Sequence, residues 1–108
     1  MNKPLTYILA ADDELYREYT LQQLNAIPGL HCLSICENAL ITREQLQLQQ
    51  PDMLVLDIEM PGLSGIQLAK SLKQLPLTIF ITSHINYAVD AYELDAVDYL
   101  VKPVEPER

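Results

Sequence analysis

Acids, a hydroxyl and a lysine stand at separated points of this chain in settings that suit a reaction better than packing. The stretch "DMLVLDIEMPG" runs four apolar residues, Met53 to Leu56, straight into Asp57. Glu59 and a Met-Pro-Gly turn follow. An isolated carboxylate at the rim of a core is costly unless something uses its charge. Asp12 and Asp13 follow a second apolar run, "LTYILA", Thr82 and Ser83 end or follow "LTIFIT", and Lys102 follows "AVDYLV". Carboxylates brought within a few ångströms repel one another, and either their pKa values rise or a cation joins them. A hard divalent ion suits such a set: Mg²⁺ takes one or two carboxylates and completes its octahedron with water and a phosphoryl oxygen. Lys102 offers a point positive charge to a phosphate oxygen, or a salt bridge to Asp57 in an alternate state. Thr82 offers a hydroxyl donor. The chemistry this set serves is stabilisation of a phosphoryl group in transit, with Asp57 as the in-line nucleophile.

The positions matter only if the fold brings them together. Residues 5–10 form a β-prone apolar run, and residues 14–27 read as a helix with Tyr16, Thr20, Leu24 and Ile27 on one face. Pro28-Gly29 stops it. Residues 30–35 are strand-like. Residues 42–50 suit a short helix, either opened by a Thr42–Gln45 capping box or starting earlier, near Asn38. Residues 52–56 are a continuous apolar strand, and Ser64 can cap a helix over 65–75. Strand (77–82), helix (86–94) and strand (96–101) follow. Five strands alternating with four helices imply an α/β domain with a parallel sheet and right-handed crossovers. Apolar runs rather than strict alternation fit a sheet covered on both faces. Asp12, Asp13, Asp57, Thr82 and Lys102 then all fall at the carboxyl edge, where open parallel sheets bind ligands. After Lys102 only a short tail remains, so a fifth helix is expected to be missing or truncated.

Composition narrows the field. The chain has 108 residues, 49% of them hydrophobic, which suits one domain with a real core. No apolar run approaches a membrane span and no export signal is visible, so a cytoplasmic protein without membrane contact is expected. A net charge of −8 argues against gripping nucleic acid with this surface. Cys32 and Cys36, four apart on a strand, are expected on one face roughly 13 Å apart. That is too far for a disulfide, which needs less than about 7 Å between Cα atoms. His31 and His84 are lone and suit surface or turn roles.

The set "ADDE" (11–14), "LDIEMPGLSG" (56–65), "FITS" (80–83) and "DYLVKP" (98–103) resembles the receiver domain of bacterial two-component response regulators. The resemblance covers the whole chain except the last helix. It implies a flavodoxin-like three-layer sandwich with strand order 2-1-3-4-5 over residues 1–108. It implies that Asp57 is the phosphoacceptor, charged by a sensor histidine kinase. Asp12 and Asp13, with Asp57 and the backbone carbonyl of Glu59, would hold Mg²⁺. Thr82 and Tyr99 resemble the switch pair and Lys102 the phosphate-binding lysine, its bond to Pro103 cis. "NYAVDAYELDAVDYLVKP" further resembles receivers that precede a LytTR-type DNA-binding domain, which implies transcription regulation through a domain outside this chain. Where that pattern has Gly before "AVDYL", this chain has Asp95. Loss of the last helix would impair the dimer face formed by the fourth helix, fifth strand and fifth helix, and a swapped or non-native homodimer is possible.

On this reading the domain is no conventional enzyme and catalyses only its own phosphorylation and dephosphorylation. Two other readings compete. Haloacid-dehalogenase-type phosphatases also use an aspartate nucleophile, a Thr or Ser, a Lys and Mg²⁺, but carry Asp-x-Asp after their first strand. A stand-alone interaction module that ignores phosphate would have lost one of the residues above.

Overall fold

In the computed structural model, residues 4–60, 62–82 and 98–101 are described, Thr82 and residues 98–101 as backbone. Five parallel strands, β1 (Leu5–Ala10), β2 (Leu30–Cys36), β3 (Met53–Asp57), β4 (Leu77–Thr82) and β5 (Asp98–Val101), form one sheet in the order β2-β1-β3-β4-β5. Three helices are described between them: α1 (Glu14–Asn25), α2 (Ala39–Gln49) and α3 (Gly65–Ser71). The expected flavodoxin-like architecture and strand order are present. The expected helix over 86–94 and the absence of a fifth helix concern residues outside those described.

The central strands are apolar at successive positions because both faces are covered. On one face Ile8, Ala10, Leu54, Leu56 and Phe80 pack with residues of α2 and α3, such as Ala39, Leu68 and Ala69. On the other, Tyr7, Leu9, Val55 and Ile81 pack beneath Tyr16, Leu21 and Leu24 of α1. The Tyr7 hydroxyl donates to Asn25 Oδ1 at 2.9 Å and ties the end of α1 to β1. At the amino edge, Asp52 Oδ2 accepts from the Thr6 N–H at 2.9 Å and from its hydroxyl at 3.0 Å. This bond staples β3 to β1 before the strands run on toward the opposite edge.

Several boundaries differ from expectation. Helix α1 closes at Asn25 with Ala26 as its cap, and Gly29 (φ 90°) makes the turn into β2. Helix α2 takes the earlier of its two expected starts, because Asn38 caps it by accepting from the Ile41 N–H at 2.9 Å. Thr42 is therefore inside the helix, wholly buried, its hydroxyl donating to the Asn38 carbonyl at 2.7 Å. The Thr42–Gln45 capping box does not form, and Gln45 Oε1 instead accepts from Ser34 Oγ at 3.1 Å. Helix α3 keeps the expected cap: Ser64 and Gln67 form a reciprocal capping box. It ends at Ser71, not at residue 75. The Ser71 hydroxyl donates back to the Leu68 carbonyl at 2.7 Å, Leu72 is extended (ψ 136°), and Leu72 and Leu75 fold onto the core.

The cysteines do not share a face. The β1–β2 register slips between Tyr7/Ile8: Tyr7 pairs with Cys32 but Ile8 pairs with Ser34, so Leu33 is an extra residue. The bulge inverts the alternation. Cys32 joins the cluster under α1, and Cys36 the cluster under α2 and α3. Both thiols are free, and burial pushes the pKa of each up.

Candidate functional site

The carboxyl edge is built by register. Ala10 pairs with Leu56, and Asp57 with Ile81. Thr82 pairs with Val101, the residue before Lys102. The parallel strands thus deliver the segments carrying Asp12, Asp13, Asp57 and Thr82 to one rim. The side chains of Thr82 and Tyr99, and all of Ser83, Lys102 and Pro103, lie outside the described residues.

Asp57 is the last residue of β3 and is wholly buried. Its backbone is clamped on both sides of the turn that follows. The Ile58 N–H donates to the Ile81 carbonyl at 2.9 Å, and the Gly65 N–H donates to the Ile58 carbonyl at 2.8 Å. Asp57 Oδ1 accepts from the Glu59 N–H at 3.1 Å, so its own turn orients the carboxylate. Gly65 permits this closure. A Cβ there would stand 3.0 Å from the Asp57 carbonyl carbon and from Ile58 Cα, and would overlap the Asp57 carbonyl oxygen. Gly62, in the same turn, has a φ of 80°, a value that favours glycine.

Asp12 and Asp13 are both exposed in the loop after β1. Asp13 also caps α1: Oδ1 accepts from the Tyr16 N–H at 3.2 Å. The neighbouring Arg17 anchors the same loop, its Nη1 donating to the Ala11 carbonyl at 2.8 Å. Tyr16 extends from this first turn over the α1 face of the sheet. Burial pushes its hydroxyl up to about 12, reinforced by the negative charges of Asp57 and Glu59 and opposed by a hydrogen bond with Thr20. Asp57, Glu59 and Tyr16 therefore share one electrostatic neighbourhood.

Among the described residues, no three or more His, Cys, Asp or Glu side chains form a group able to hold a metal ion. The expected acids share an edge, then, without building an all-carboxylate cage. The donor set still suits a hard ion, which needs only one or two carboxylates, a carbonyl and water. Asp57, Asp12 and the Glu59 carbonyl supply oxygens of that kind, and Asp13 keeps a second carboxylate oxygen beside its cap. Sequence reasoning did not single out Gly65 or Tyr16. The first helical position is an unusual place for Gly, where a helix former or Pro is favoured. Tyr16 gave no signal beyond its place on the inner helix face.

Residues 8–108 match the family model of the response regulator receiver domain. An uncharacterized response regulatory protein of Vibrio cholerae is 39% identical over 112 residues, covering 100% of this chain and 43% of that protein. The sensory transduction protein LytR of Staphylococcus haemolyticus is 41% identical over 104 residues, covering 94% of this chain and 41% of that protein. The chain thus spans about two fifths of these relatives. The response regulatory domain of protein MrkE from Klebsiella pneumoniae superposes with a TM-score of 0.87 at 29% identity, over 96% of this chain and 88% of that one. A buried aspartate closing the third strand, acids after the first, and these matches together lead to one assignment: the chain belongs to the receiver domain family of two-component response regulators.

Proposed function

We propose that this domain is a phosphorylation switch in which Asp57 accepts a phosphoryl group from the phosphohistidine of a sensor kinase. The observation that carries the reading is the wholly buried Asp57 carboxylate at the carboxyl end of β3, oriented by the Glu59 N–H. A carboxylate oxygen of Asp57 attacks phosphorus in line. The new O–P bond forms as the donor's N–P bond breaks, and the imidazole leaves. Asp12, Asp13, Asp57 and the Glu59 carbonyl would hold Mg²⁺. That ion would neutralise charge on the transferring group. The turn residues hold the nucleophile still, which is the main contribution a protein makes to phosphoryl transfer. Lys102 pairs with a phosphoryl oxygen, and Thr82 with Tyr99 passes the change to the surface. A difference of a few kcal/mol between two packings suffices for phosphorylation to shift the population.

The domain serves as substrate and catalyst of its own modification, not as an enzyme with turnover. Its output on this reading is transcription regulation through a DNA-binding domain outside this chain; the likeness to a sensory transduction protein supports the signalling role. Homodimerisation is a further step of the same reading. A cytoplasmic location fits: among the described residues no helix is long and apolar enough to cross a membrane. The phosphatase alternative fits less well, because the nucleophile ends the third strand and the paired acids follow the first. Incubation with acetyl phosphate and Mg²⁺ tests the assignment. The native chain should gain one phosphoryl mass, and Asp57→Asn should gain none. Labelling that survives in Asp57→Asn would sink it.

A further inference from the structure

The early end of α3 leaves a furrow along α2. Three hollows of about 440, 560 and 330 Å³ lie end to end there. The first and second share Arg43, and the second and third share Leu46 and Gln74, so they border one another in succession along a trough beside α2. It runs from Gly62 and Leu63, at the carboxyl edge, to Pro51 and Pro76. Its apolar lining includes Leu46 and Leu72, with Leu40 exposed at its upper end. Its charged lining, among the described residues, is Arg43 and Lys73, with no acid. That is unusual in a chain with 15 Asp and Glu against seven Lys and Arg.

The opposite pattern occurs on α1. Leu15 is 79% exposed, the most exposed large apolar side chain described, and it stands between the exposed acids Glu14 and Glu18. Arg43 and Lys73 in the trough are opposite in sign to Glu14 and Glu18, and the exposed leucine suits the apolar floor. The lengths agree as well. Helix α1 has 12 residues and α2 has 11, roughly 18 and 16 Å at 1.5 Å per residue.

We propose that a second copy of this chain docks the acidic, Leu15-bearing face of its α1 into the α2–α3 furrow. The two surfaces differ, so the contact is head-to-tail and can extend beyond a dimer. It is separate from the phosphoacceptor reading, which stands whether or not copies associate.

Sedimentation velocity across a concentration series tests it. The native chain should show a mass average that rises with concentration, more weakly at high salt, since the screening length falls from about 10 Å at 0.1 M to about 3 Å at 1 M. Arg43→Glu/Lys73→Glu should remain monomeric, and so should Glu14→Lys/Glu18→Lys, each with native circular dichroism. An equimolar mixture of the two should associate again, because each then carries the charges the other needs. A native chain that stays monomeric throughout would overturn the proposal. So would association that persists in both reversed variants, or a mixture that fails to associate while both remain folded.

Discussion

Replacing Gly65 with Ala sets two opposing effects against each other, and the structure decides the sign. Gly65 is the first residue of α3, where exchange of Gly for Ala in an open helix would stabilise by up to about 1 kcal/mol. Here the added Cβ meets rigid backbone rather than a side chain that can swing away. It would lie 3.0 Å from Ile58 Cα and against the Asp57 carbonyl oxygen. Either the helix start or the Asp57 turn must move, and overpacking of this kind costs about 1–3 kcal/mol. The net expectation is a loss of about 1 kcal/mol, roughly a fivefold fall in the folded-to-unfolded ratio. Urea denaturation should show the midpoint falling with an unchanged slope. Because the displaced atoms are those that aim Asp57, labelling by acetyl phosphate should slow as well, in protein that is still folded. An alanine variant as stable as the native chain, or more so, would refute the account of the turn.

Other expectations are simpler. Asn38→Ala removes the cap of α2 and should cost about 1 kcal/mol in the same denaturation assay, whereas Gln45→Ala should not behave as the loss of a cap. Tyr7 and Tyr16 are each raised from 10.0 to about 12, both chiefly by burial. A phenol harder to ionise in the folded chain contributes stability that is complete below pH 10 and is lost as pH rises toward 12. Denaturation midpoints should therefore fall across that window. Tyr16→Phe should soften the fall, and an unchanged pH profile in that variant would count against the burial of its hydroxyl.

The sheet was legible from the chain because β1, β3 and β4 are short apolar runs that end at or just before polar residues, and those ends are the candidate site. Asp57 could be placed within one residue of the strand end for that reason. Helix limits were harder. Asn38 and Thr42 are both plausible caps, and only the buried position of Thr42 decides for Asn38. The helix over 65–75 keeps its periodicity past Ser71, but Leu72 and Leu75 gain more by folding onto the core than by continuing α3. The bulge at Leu33 leaves no local mark, since Leu, Ser and Ile suit either side of a strand. The closeness of Gly65 to the Asp57 carbonyl is a tertiary fact, invisible until the turn closes.

The extra residue in β2 turns two ordinary thiols into separate reporters. Cys32 senses the layer beneath α1, and Cys36 the layer beneath α2 and α3. Alkylation followed by peptide mapping would then time the loosening of each layer independently. A modification that detaches one helical layer while sparing the other would be read directly as a difference between the two sulfurs.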